Sequence, residues 1–381
     1  MQAYLDGITS ESGLSLLTRA RISRGATLGP TFLSSLDELL PQGALYPEDV
    51  LELHGGPGSS KTYLVYFLCL TTCLPPKWMV GERVGGGGEP ATAGGNTRPT
   101  MVPLGGRGAS VAIMDCDGRF DPARVARLMY HHVVARVRQE SASASVELIR
   151  ALIRRCMRRI HIWRPRTTFE LLATVKRLPA YFLEQGRGER FAMVVVDSGD
   201  AFQWFDRAEV EDEECAVQPP TEGKWPRKSA AQREVVPAFK QLLREWGLAL
   251  VVTTRKIDAV DRRGYHPPSA SAPGAAPASA PTSTSAPIPH PRLEDLEGVG
   301  VGAGGGIGWA PSGASDGAGV DLEYRSGEGA NSMWNPLVKY RMVVARHSSG
   351  EEGTRFLGRL VKPPEDRVAS WVVTQEGVYD A

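Results

Sequence analysis

Residues 50–62 constrain this chain most. Val50-Leu51-Glu52-Leu53-His54 is an apolar strand, Gly55-Gly56-Pro57-Gly58-Ser59-Ser60 a glycine-rich turn, and Lys61-Thr62 the start of a helix. In that layout the turn's N–H groups and the positive end of the helix converge on a polyphosphate. The spacing predicts Lys61 against the β- and γ-phosphates and the Thr62 hydroxyl on Mg²⁺. The pattern G-x-x-x-x-G-K-[ST] asks for glycine before the lysine, and here Ser60 stands in that place. A serine with positive φ there costs roughly 1–2 kcal/mol; at negative φ its side chain simply faces away.

Apolar runs and helical patterns alternate downstream, which implies a parallel sheet with right-handed crossovers. A helix is expected from Lys61 to Cys73, stopped by Pro75 and Pro76. Strands follow at 111–114, 160–163, 191–197 and 248–254. Between them are helices at 122–137, 146–159, 167–182 and 233–246. Short linked strands at 337–346, 354–362 and 369–379 suggest antiparallel hairpins closing one edge. Residues 1–49 read as a linker carrying a short amphipathic helix at 12–21. Three tracts rich in Gly, Pro, Ala, Ser or charge, at 82–109, 206–232 and 258–333, read as inserts. The last buries too little apolar surface to offset its ordering entropy. Without them about 250 residues remain, which predicts one α/β domain over 50–381.

The net charge is +1, so any contact with nucleic acid or membrane must come from a local patch. Cys69, Cys73, Cys116, Cys156 and Cys215 form no C-x-x-C pair and read as reduced intracellular thiols. No apolar stretch approaches the roughly 20 residues that span a bilayer. Asp6 and Glu11 interrupt any signal-like start. The expected compartment is the cytosol or nucleus.

A Mg-nucleotide site in such a sheet needs an acid at the end of an apolar strand and a carboxylate that orients water. Asp197 suits the first role and Asp117 the second. Each, like Asp115, is equally readable as a strand-end cap or turn former. The arginines at 150, 154, 155, 158 and 159 crowd one helix. A solvated face accounts for them better than phosphate contact, because arginine is a good helix former.

Several runs resemble eukaryotic RecA-type recombinases. They are Ile113-Met114-Asp115-Cys116-Asp117-Gly118-Arg119-Phe120, Val194-Val195-Val196-Asp197-Ser198, Val251-Val252-Thr253-Thr254-Arg255, and the closing block from Arg341-Met342 to Gln375-Glu376-Gly377-Val378. The resemblance implies a RecA-like P-loop ATPase core: a mostly parallel sheet, helices on both faces, antiparallel closing strands. It implies a nuclear, non-polymerising paralogue in homologous-recombination repair that binds ATP and Mg²⁺. Such a subunit works with other recombinase paralogues, the D-type one foremost, and supports the filament on single-stranded or branched DNA. The segment Phe32-Leu33-Ser34-Ser35 lacks the alanine of the family's self-assembly motif F-x-x-A, so filament formation by this chain alone is not expected. Lys256, Arg262 and Arg263, with Arg255, stand where the family's DNA-facing loop begins.

Three departures from the family bear on the γ-phosphate. Asp117 replaces a glutamate and is one methylene shorter, Ser60 replaces the glycine, and Arg255 replaces a polar amide. Misplacing a group by about 1 Å can cost about 100-fold in rate. Binding with slow or absent hydrolysis is therefore expected. A solitary DNA-dependent ATPase and a small-molecule kinase are the alternatives; Asp117 and the closing strands speak against the kinase.

Overall fold

The computed structural model describes residues 13, 31, 33–40, 43–80, 100–185, 190–206, 208, 230–255, 332–350 and 353–380. Its helices are α1 (Ser34–Leu39), α2 (Lys61–Cys73), α3 (Pro122–Gln139), α4 (Val146–Met157), α5 (Thr168–Gln185) and α6 (Ala230–Trp246). Its strands are β1 (Val50–Gly55), β2 (Lys77–Val80), β3 (Thr100–Pro103), β4 (Ser110–Asp115), β5 (Ile160–Trp163) and β6 (Phe191–Asp197). They continue with β7 (Ala249–Arg255), β8 (Tyr340–Gly350), β9 (Gly353–Lys362), β10 (Pro364–Val373) and β11 (Val378–Asp380).

Nine strands form one sheet in the order β11-β10-β9-β8-β1-β7-β6-β4-β5. From β5 to β8 the neighbours run parallel, and β9, β10 and β11 continue antiparallel. The central strands are apolar on both faces because both are covered. On one face Val111, Ile113, Met193 and Val195 pack with Leu64, Leu68, Val125, Met129, Ile149 and Ile153 of α2, α3 and α4. The intervening residues Ala112, Met114, Val194 and Val196 face Leu171, Phe182, Phe239 and Trp246 of α5 and α6. The two-residue period of a strand thus sorts one sequence run into two cores.

Helix starts follow local chemistry. Asp121 caps α3, accepting from Ala123 N at 2.9 Å, with Pro122 at the first position, where a missing N–H is tolerated. Ser145 caps α4 through Leu148 N at 3.3 Å.

Four expectations need correction. The tract at 82–109 is an insert only in part: Thr100–Pro103 pairs with Lys77–Val80 as a two-stranded ribbon, and the N–H of Ala109 donates to Thr72 O at 3.0 Å. The tract at 206–232 gives up both ends. Asp206 is buried, accepting from Thr168 Oγ1 at 2.6 Å and Gln232 Nε2 at 2.7 Å, and α6 already begins at Ala230. The first closing strand, β8, joins β1 in parallel. The stretch before β1 is more than a linker, for Leu33, Leu36, Leu39 and Leu40 are buried in the main core. There α1 lies on β10, with Ser35 Oγ donating to Ser370 O at 3.0 Å, and Ser34 and Ser35 donating to the Asp380 carboxylate at 2.7–3.1 Å. The helix expected at 12–21 lies, but for Gly13, outside the described residues.

Candidate functional site

The sheet order sets the C-terminal ends of β4, β6, β7 and β1 side by side. Although β4 and β6 are neighbours, the helices that follow them, α3 and α6, cover opposite faces. That reversal opens a crevice beyond the strand ends, the usual place for a ligand in an open α/β sheet.

The chain leaves β1 through Gly56-Pro57-Gly58-Ser59-Ser60 and enters α2 at Lys61. Gly55 is obligatory on space: a Cβ there would lie 2.2 Å from Val344 O and 2.7 Å from Ser59 Oγ. Gly58 is obligatory on conformation, with φ +73°, and at Gly56 and Gly58 a Cβ would meet nothing within 4 Å. The turn is therefore tight beneath and open above. Lys61 Nζ folds back to donate to Gly55 O at 2.7 Å, Gly56 O at 2.8 Å and Ser59 Oγ at 3.1 Å. Burial lowers its pKa to about 8, against the raising influence of Asp200 and Asp197.

Ser60 has φ 66° and ψ 11°, left-handed backbone on a residue with a Cβ. Its side chain makes no cap to the first turn of α2. Its Oγ instead accepts from Trp371 Nε1 of β10 at 3.2 Å, in a buried setting. The strained alternative is thus the one adopted, and the side chain has a partner.

Across the crevice, Thr62 Oγ1 donates to Asp197 Oδ2 at 3.2 Å, and Thr253 Oγ1 of β7 donates to Asp197 Oδ1. Burial raises the Asp197 pKa; the two hydroxyl hydrogen bonds oppose the shift, and Asp117 and Asp115 add to it. Both oxygens of Asp117 are engaged: Oδ1 accepts from Ser198 Oγ at 3.2 Å and Oδ2 from Arg255 Nη2 at 2.7 Å. The hydrogen bond to Asp117 raises the Arg255 pKa in turn.

The strand ends thus bring together the loop 55–62, Asp117, Asp197 and Arg255. Lys256, Arg262 and Arg263 lie outside the described residues. Asp115 takes the turn-former role: it accepts from Arg119 N at 2.9 Å and Phe120 N at 3.2 Å, and pairs with Arg164 Nε at 3.0 Å. Sequence reasoning missed Asp200, whose Oδ2 accepts from Arg255 N at 2.9 Å while Oδ1 is buried without a partner among the described residues. Its place three residues beyond Asp197 was an available signal. It also missed Thr253 and Trp371 as site residues, and Trp334, which holds the turn after β6 by donating to Gly199 O at 2.8 Å.

Beneath the loop, Glu52 joins three strands. Its Oε1 accepts from Thr254 Oγ1 at 2.8 Å and its Oε2 from Arg341 Nε at 2.6 Å, all buried. Thr254 also meets His54 Nδ1 at 3.0 Å.

The open turn over a half-buried lysine fits an anion. Thr62 and Asp197 fit a small hard cation that keeps several waters and takes its remaining ligands from phosphate. Among the described residues no group of three or more His, Cys, Asp or Glu side chains is arranged to hold a metal alone. No helix among them is long and apolar enough to cross a membrane. No protein-family model matches the chain, and a search of curated proteins finds no match.

Proposed function

We propose that this chain is a RecA-like recombinase paralogue of the type-2 X-ray repair cross-complementing kind, a nuclear subunit of homologous-recombination repair that holds Mg-ATP and turns it over slowly or not at all. The engagement of both Asp117 oxygens by Arg255 and Ser198 carries this reading. A carboxylate that already accepts from a guanidinium and a hydroxyl is poorly placed to take a proton from water. The grouping of Lys61, Thr62 and Asp197 supports ATP and Mg²⁺ as ligands: Lys61 would meet the terminal phosphates, while Thr62 and, through water, Asp197 would hold the metal. Bound Mg²⁺ would neutralise phosphate charge and draw the terminal phosphates into one orientation.

In this reading nucleotide serves assembly with other paralogues, the D-type one first, and DNA is met through the complex. The test is a stoichiometric Mg-ATP titration with phosphate release measured with and without single-stranded DNA. Saturable one-site binding with little release supports the reading, and release at the rate of an active recombinase overturns it. Arg255→Gln, which frees one Asp117 oxygen, is expected to raise release on the order of tenfold. That is less than the roughly 10²–10⁴ a well-placed base supplies. Co-purification with a second RecA-like chain separates a paralogue subunit from a solitary enzyme.

A further inference from the structure

At the opposite end of β4 from the loop, three arginines gather. Ser110 N donates to Arg190 O at 2.7 Å and Val111 N to Arg159 O at 2.8 Å, so these two residues flank the start of β4 on its neighbouring strands. Adjacent strands lie about 4.8 Å apart, which sets the two backbones roughly 10 Å from each other. Arg107 sits on the segment entering β4 between them, and the Arg159 guanidinium lies against residue 108: a Cβ there would be 4.0 Å from Arg159 Nη2.

No carboxylate is within ion-pair reach of these three among the described residues. Arg159 spends one N–H on Cys73 O at 2.7 Å. The Arg190 Nε is buried and has no partner among the described residues. Burial, then the charge of Arg107, lowers the Arg190 pKa, so the two cations feel each other. Arg154, Arg155 and Arg158 are exposed at the end of α4, which leads directly into Arg159. The helix dipole favours cations at that end, which accounts for the α4 residues alone. It gives no reason for Arg107 and Arg190, which come from two other segments. Like charges gathered from three segments, with a buried donor unmet, fit a ligand that brings negative charge. Six arginines, three of them exposed at the end of α4, carry more charge than one small anion neutralises, which fits a polymeric ligand.

We propose that Arg107, Arg159 and Arg190, continued by Arg154, Arg155 and Arg158, form a binding site for the phosphodiester backbone of a nucleic-acid strand. The site is independent of the nucleotide crevice, roughly 15–20 Å away along a six-residue strand. It goes beyond the function proposed above, in which DNA is met through the complex, and lies apart from the sequence expectation of DNA at Lys256, Arg262 and Arg263.

The test is fluorescence anisotropy of labelled oligothymidylate with the full chain at several salt concentrations. Replacing Arg107 and Arg190 together by alanine should weaken binding and flatten the plot of log affinity against log salt by about 0.7 per arginine. Arg190→Lys should keep the wild-type slope, and unchanged melting temperatures show that the variants fold. An unchanged slope in the double alanine variant overturns the proposal. So does displacement of the oligonucleotide by inorganic phosphate as effective, phosphate for phosphate, as by unlabelled oligothymidylate, since that marks a single-anion site. Failure of the wild type to bind any oligonucleotide also overturns it. The Mg-ATP titration on the same samples reports on the nucleotide reading separately.

Discussion

Ser60 shows two small effects in opposition. Left-handed backbone costs a residue with a Cβ roughly 1–2 kcal/mol, whereas depriving the buried Trp371 indole N–H of its acceptor costs about 1–3 kcal/mol. Ser60→Gly, which restores the expected loop glycine, should therefore destabilise the chain by about 1 kcal/mol. In a Trp371→Phe background the same change should stabilise it by about 1 kcal/mol. Urea denaturation of the four chains in a double-mutant cycle measures that reversal of sign. Lys61 makes a second prediction. Its pKa near 8 lies below its unfolded value of 10.5, so between those pH values the unfolded chain holds the proton and the folded chain does not. Lys61 therefore contributes a rise in stability across that window; under the proposed function, ATP affinity, which would need the ammonium, should fall up to about tenfold per pH unit above 8. Titrations at neutral pH and near pH 9 check it; a flat affinity would remove Lys61 from the phosphate site. The glycine-rich turn between β1 and α2 was legible because its chemistry is local. The Ser60 partner was not, because Trp371 lies 311 residues away and nothing about a tryptophan names its acceptor.

Among the elements, the pairing of β1 with β8 depends on Glu52 and Arg341, a buried ion pair. Removing one partner leaves an uncompensated charge, so Arg341→Met should cost about 3–5 kcal/mol. Adding Glu52→Leu should recover most of that, since a packed apolar pair is often as stable as a buried ionic one. Equilibrium denaturation of the single and double variants decides it. The apolar runs of β4, β6 and β7 were readable because strands covered on both faces leave no polar alternation. The direction of β8 was not, because a strand's composition does not encode whether its neighbour runs with it. The ribbon β2-β3 escaped for another reason: its apolar Met79 and Met101 are exposed while Val80 and Val102 are buried, so hydrophobicity along it does not mark the buried face. The signal of α1 was present in Leu33, Leu36, Leu39 and Leu40, spaced three, three and one apart, but six residues make a short helix that only its packing on β10 stabilises.

For the whole molecule, α1 and the closing strands form one clasp. Leu36 is 2% exposed in the main core, and Ser34 and Ser35 hold Asp380 at the other end of the chain. Leu36→Ala should cost about 2–5 kcal/mol, read by thermal or urea unfolding. Since β10 also carries Trp371, loosening the clasp should, under the proposed function, weaken ATP binding as well. Intact affinity in a destabilised variant would separate the clasp from the loop.

The same topology has a consequence for how the chain is made. Glu52 on β1 meets Thr254 and Arg341, 202 and 289 residues further on. At roughly 5–20 residues per second, a ribosome finishes that longer interval about 15–60 s after β1 is synthesised. The loop-bearing strand thus precedes β4, β6 and β7 in the chain and is the last of these four to be flanked on both sides. A message cut short after β7 would encode every residue of the loop 55–62 and still yield β1 with a bare apolar edge, a product for chaperones and proteases rather than a smaller working protein.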